Sequence, residues 1–157
     1  MSTEQVYPHD PWKIIEREAI PEYMPGNESI FALANGYLGI RGTMDEMDYA
    51  WCRGTYLNGF YESRPIVYGE KAYGFPEHGQ TILNVADGRK IEIWIDDEQF
   101  SLATGRVHSY HRQIDLREGI LKRHIVWESP KEKILSIESE RLVAFERRHI
   151  AVLRYTV

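Results

Sequence analysis

The chain has 157 residues, enough for one domain, and at 43% hydrophobic and 27% charged it is built to bury a core rather than stay disordered. Its net charge of −5 is uneven: residues 1–88 carry 6 Lys/Arg against 13 Asp/Glu, and residues 89–157 carry 13 against 11. Neither half has the basic stripe that nucleic-acid phosphates require, and no apolar run approaches a bilayer-spanning length.

The start, "MSTEQVYPHDPW", lacks the basic region and apolar run of a secretory signal. Cys52 is the only cysteine, so no internal disulfide is possible; this suits a reducing compartment and gives a cytoplasmic expectation. The dominant periodicity is two, with Gly, Asn, Asp and Pro breaking the runs at short intervals, which predicts an all-β, antiparallel β-sandwich. In "DPWKIIEREA", Asp10 and Pro11 could open a helix, but the alternation favours a strand that Pro21 and Pro25 end.

"ESIFALANGYLGIRG", Glu28 to Gly42, follows. Asn35-Gly36 predicts a type I′ turn, which pairs Leu33 with Leu38 and Phe31 with Ile40. Phe31, Leu33, Leu38 and Ile40 then share a face that should be buried. The opposite face carries Ala32, Ala34 and Gly39, a shallow trough over which a second sheet is expected to close. "MDEMDY", with Asp45, Glu46 and Asp48, reads as a solvated turn paired with Arg41 and Arg53; "DDE" at 96–98 reads as another.

"GTYLNGFY" (54–61) is a glycine-punctuated strand, and 62–80 a long aromatic loop. Tyr49, Trp51, Tyr56, Phe60, Tyr61, Tyr68, Tyr73 and Phe75 crowd this region; such rings fill cores and also stack on sugars. Asp87-Gly88 predicts a hairpin facing Ile82 with Ile93. From Ala103 onward, long strands are expected at 106–117, 120–128, 133–139 and 150–157. Glu118-Gly119 would join the first two, setting Leu116 opposite Leu121 and Asp115 opposite Lys122.

Motifs for chemistry are sparse. His108 and His111 form H-x-x-H, but that spacing puts them on opposite faces of a strand, so no metal site is expected. Cys52 has no base nearby and reads as a small packed residue. There is no G-x-S-x-G, P-loop or dinucleotide fingerprint.

Four segments, "ESIFALANGYLGIRG", "GTYLNGFYE", "LNVADGRKIEIWIDDEQF" and "YHRQIDLREGILKRHIVWESP", resemble in that order the start of glycoside hydrolase family 65. The resemblance runs from about Trp12 to the end; Ala34 stands where the family often has glycine. It implies an N-terminal β-sandwich, part of a super-sandwich, spanning 1–157. A helical linker, an (α/α) toroid with the active site and a small C-terminal β domain would follow.

The implied reaction is phosphorolysis of an α-glucosidic disaccharide such as maltose, kojibiose, nigerose or trehalose, with inversion. Inorganic phosphate is the co-substrate, and no metal or organic cofactor is implied; some members hydrolyse trehalose instead. No catalytic residue maps onto this chain. "IAVLRYTV" reads as ending in mid-strand, so an incomplete sandwich is expected, with an unpaired edge that favours a homodimer or strand swap. The catalytic domain of the same polypeptide is the expected partner. The loops 43–53 and 62–80, with Tyr49, Trp51 and Tyr68, are the candidates for the rim of its substrate site. The alternative is an autonomous carbohydrate-binding sandwich.

Overall fold

A computed structural model describes residues 3–46 and 54–157. In chain order the elements are α1 (Thr3–Val6), β1 (Lys13–Glu16), a 3-10 turn (Pro21–Tyr23), α2 (Met24–Ile30), β2 (Leu33–Ala34), β3 (Leu38–Ile40), β4 (Thr55–Pro65) and β5 (His78–Asn84). There follow β6 (Trp94–Ile95), β7 (Glu98–Gln99), β8 (Arg106–Asp115), β9 (Ile120–Glu128), β10 (Ile134–Val143) and β11 (Ala151–Thr156). All strand pairing is antiparallel.

The large sheet runs β1-β8-β9-β10-β11 and the smaller one β2-β3-β4-β5, with β6-β7 as a separate small ribbon. The expected β-sandwich is thus formed, and three of the four late strands lie almost where alternation put them. β10 runs on to Val143, beyond the expected 139. On its central strands one parity is buried: Tyr110, Arg112 and Ile114; Leu121, Arg123, Ile125 and Trp127; Leu135, Ile137, Ser139, Arg141 and Val143.

That inner face is covered in two halves. Phe31, Leu33, Leu38 and Ile40 pack on Ile114, Leu121 and Val143. Met24, Met44 and Phe100 cover Tyr110, Ile125, Trp127, Leu135 and Ile137. Each large apolar side chain so buried contributes about 1.5–3 kcal/mol. The second sheet therefore closes over the large-residue side of the first ribbon. Ala32 and Ala34 on the other side are exposed, so the expected closure over the small-residue trough does not occur among the described residues. The volume needed to fill the inter-sheet space sits on the large residues.

Turn chemistry accounts for other departures. Asn35 and Leu38 close the first hairpin, with Gly36 (φ +86°) and Tyr37 at its centre, so Leu33 faces Ile40. Among the described non-glycine residues only Asp96 and Glu132 have positive φ, so the turn has glycine first, as in type II′, and is not the expected I′. The slip spans two residues, so the buried face is unchanged. The Asn35 carboxamide oxygen accepts from the Tyr37 and Leu38 amides at 3.0 and 2.8 Å.

The β8–β9 hairpin slips likewise: Ile114 faces Leu121 and Gln113 faces Lys122, while Asp115 accepts from the Arg117 and Glu118 amides and Lys122 pairs with Glu118. Pro25 stands in the first turn of α2 rather than ending a strand, because a first-turn N–H needs no intrahelical partner. Residues 28–30 are consequently helical, and the ribbon begins at Leu33. Finally, β5 pairs back onto β4, so no hairpin forms at Asp87-Gly88; Asp87 instead binds Arg89.

Candidate functional site

Four arginines enter the space between the layers: Arg89, Arg112, Arg123 and Arg141, each 2–7% exposed. Alternation places the last three on the apolar parity of β8, β9 and β10. A buried charge must be paired, and the partners come from the turn after β3. Arg141 donates to Asp45, and Arg123 donates to both oxygens of Glu46, with Nη1 at 2.7 Å from Oε2. Tyr155 of β11 also donates to Glu46. Arg141 and Arg89 donate to the Arg41 carbonyl at 3.2 and 3.1 Å. "MDE" is thus not a solvated turn but the anionic half of a buried lattice. Arg41 pairs with Glu28 at 3.4 Å instead, and Arg53 and Asp48 lie outside the described residues.

A second lattice adjoins it. Glu16 accepts from Tyr110 Oη and Arg112 Nε, both at 2.7 Å, and from Asn27, whose other amide atom accepts from Tyr7. Arg112 also donates to the Gly42 carbonyl at 2.9 Å and stacks over Phe31 at 4.1 Å. Gly42 has no room for a side chain: a Cβ there would stand 2.6 Å from Phe31 Cβ.

These carboxylates are unsuited to acid catalysis. Burial pushes Glu46 up, but Arg123 and the bonds from Arg123 and Tyr155 outweigh it and hold the carboxyl below its ordinary value. Burial raises Glu16 despite Arg112, yet that side chain is fully enclosed by its own partners. Glycoside cleavage needs a carboxyl pair flanking a substrate, and each of these three carboxylates faces an arginine instead.

The exposed counterpart is the β4–β5 ribbon. It is shorter at its tip than expected: Glu62–Pro65 and His78–Gln80 are strand, leaving 66–77 as the connection. Its aromatics are not core. Phe60 is 52% exposed, and Tyr61, Tyr73, Phe75, Val67, Ile82 and Leu83 are exposed with it. Tyr68 is half-buried, its ring 4.9 Å from that of Phe75. Of the expected rim residues only Tyr68 can be placed; Tyr49 and Trp51, like Cys52, lie outside the described residues.

His108 sits at the β8 bulge, 2.6 Å from Glu128, whereas His111 contacts Gln113. They do not converge, and no cluster of three or more metal-ligating side chains occurs among the described residues. In "DDE", Asp96 and Asp97 are exposed and pair with Lys133 and Lys131, as a solvated turn should; Glu98 is tucked against Ser129. Among the described residues no helix is long and apolar enough to cross a membrane.

Comparison with known proteins accords with this geometry. Residues 14–157 match the profile described as "Glycosyl hydrolase family 65, N-terminal domain". The chain is 43% identical to the alpha,alpha-trehalose phosphorylase of Thermoanaerobacter brockii, over 97% of this chain and 20% of that protein. It is 33% identical to the kojibiose phosphorylase of Halothermothrix orenii, over 89% of this chain and 16% of that protein. A solved structure of a human-microbiome protein assigned as a kojibiose phosphorylase superposes with a TM-score of 0.81 at 28% identity, covering 96% of this chain and 20% of its own. The chain thus spans about a fifth of the length of the curated relatives it matches. With its sandwich, its ordered motifs and this match in agreement, the chain belongs to the glycosyl hydrolase family 65 N-terminal domain family.

Proposed function

We propose that this chain is the non-catalytic N-terminal domain of an inverting phosphorylase of α-glucosidic disaccharides. The observation that carries the reading is the family match over 14–157, joined to relatives named as phosphorylases that are about five times longer. The lattice carboxylates, each engaged by arginine, support a structural rather than a chemical task. Inorganic phosphate would be the co-substrate of the longer protein, with no metal or organic cofactor, acting in the cytoplasm as a homodimer.

The domain's own work is scaffolding. Asp45 and Glu46, fixed by Arg141 and Arg123, anchor the chain directly before the segment carrying Tyr49 and Trp51. The β4–β5 ribbon offers a long apolar surface for the catalytic domain of the same polypeptide. Tyr49, Trp51 and Tyr68 are proposed at the rim of that domain's disaccharide site. Beyond Leu57, where the pairing with β3 ends, the ribbon is only two strands wide; a two-stranded ribbon is marginal in water, which favours a covered state for this part.

The test is an assay of the chain alone with trehalose, kojibiose and maltose plus inorganic phosphate. No glucose 1-phosphate and no glucose should form, and calorimetry with the same sugars should show no heat. Turnover by these 157 residues would refute the non-catalytic reading, and measurable heat would favour an autonomous sugar-binding sandwich. In the longer polypeptide, Trp51→Ala and Tyr68→Ala should lower kcat/KM severalfold; unchanged kinetics would remove these rings from the rim.

A further inference from the structure

Within the ion-pair lattice lies a cavity of about 10 Å³, bordered on its polar side by Asp45, Arg112, Arg123, Ser139 and Arg141, with Met44 and Leu121 as apolar walls. That is close to the space one water-sized sphere occupies. Three of these side chains bring a buried N–H with no hydrogen-bond partner: Arg112 Nη2, Arg123 Nε and Arg141 Nε. Leaving a buried donor unsatisfied is costly, and more so on a charged group. Only two other buried side-chain polar atoms among the described residues lack a partner, Arg41 Nε and Thr55 Oγ1, and neither residue borders this cavity.

We infer that this cavity is a specific binding site for one internal water molecule, which links the guanidinium groups of β8, β9 and β10 to the Asp45 turn. The oxygen accepts from two of the three N–H groups. One hydrogen goes to the Asp45 carboxylate, whose Oδ2 stands 3.7 Å from Arg123 Nη2, beyond direct hydrogen-bond reach. The charge balance selects a neutral ligand over an anion. Arg112, Arg123 and Arg141 are already matched by Glu16, Glu46 and Asp45. A halide would add an uncompensated buried charge. The water thereby supplies an acceptor for two of the three donors that the side chains alone leave unpaired.

A crystal structure of the chain at about 1.5 Å or better should show one density peak about 2.7–3.2 Å from at least two of these nitrogens. No peak, with the three N–H groups still unpaired, would overturn the inference. So would an anomalous peak there in crystals grown with bromide, which would mark an anion site. Solution stability supplies an independent readout. Ser139→Val fills the cavity and displaces the water, whereas Ser139→Ala leaves it room. The valine variant should melt about 2–4 °C below the alanine variant; in a dry cavity its extra contacts would make it the more stable of the two.

Discussion

Two long hairpins of this protein, β8–β9 and β4–β5, solve opposite problems. From Tyr110 onward, past the β8 bulge, the β8–β9 hairpin alternates strictly, and its inward residues are sealed even where they are arginines. The β4–β5 ribbon is comparable in length yet exposes Phe60, Tyr61, Ile82 and Leu83. Hydrophobicity of individual residues does not separate the two. The difference is the supply of partners: the turn at 43–46 brings carboxylates to Arg123 and Arg141, whereas nothing among the described residues lies over the ribbon. Burial here follows from what the rest of the fold delivers to a face, and an apolar surface left without a covering layer marks an interface.

The sharpest way to break that comparison is to remove one member of the lattice. Arg123→Met leaves Glu46 enclosed without its main counter-charge and Asp45 with Arg141 alone, and should cost about 3–5 kcal/mol, read from the urea midpoint. A loss below about 1 kcal/mol would mean that water already reaches these carboxylates. Adding Glu46→Gln to Arg123→Met should restore part of the loss.

Next in size is a steric contrast within the opening motif. Gly42→Ala drives a methyl into Phe31 and should cost about 1–3 kcal/mol. Gly39→Ala meets only Ala34 Cβ at 3.7 Å and should change stability by less than about 0.5 kcal/mol. Equal effects at both positions would contradict the assignment of the tight approach to Gly42.

The lattice also carries a pH signature. The folded state holds Glu46 below its ordinary value, so its stabilisation is present above the unfolded carboxylate pKa and is lost as pH falls through the folded one. Glu16, raised by burial, has the opposite sign: its contribution is present at low pH and lost as pH rises through its folded pKa. Glu46→Gln should therefore flatten the acid limb of the stability profile, and Glu16→Gln should steepen it. The same slope in wild type and Glu46→Gln would disconnect Glu46 from acid unfolding.

The smallest expected effect concerns the ribbon. Phe60→Ser and Leu83→Ser should each alter the stability of the chain by less than about 0.5 kcal/mol, since neither side chain is buried. In the longer polypeptide the same changes should lower thermal stability by several degrees. An equal, small effect in both settings would argue that the ribbon stays in solvent there too.

Much of this architecture can be read in the residues, and the failures have a common cause. Period-two alternation locates β8 to β11, and the face carrying Phe31, Leu33, Leu38 and Ile40 survives a slip in the turn, because slips of two residues preserve parity. Turn type is harder, since Asn35 can serve its neighbours' amides instead of adopting positive φ itself. The lattice was missed because charged residues are ordinarily solvated. The signal was present: Arg112, Arg123 and Arg141 each fall on the parity of large apolar neighbours, and three cations on a core face demand carboxylates from elsewhere. "MDE" is then the natural supplier. The ribbon's exposure leaves no such trace, because an aromatic strand that faces a core and one that faces a partner look alike.

The division between a sealed lattice and an unfilled ribbon is tested most directly by amide hydrogen exchange on this chain and on a longer polypeptide that contains it. Residues 120–128 and 134–143 should exchange slowly in both, while residues 60–83 exchange quickly in the chain and become protected in the longer protein. Fast exchange of 60–83 in both, or slow exchange in both, would contradict the claim that this surface is made to be covered by the rest of the polypeptide.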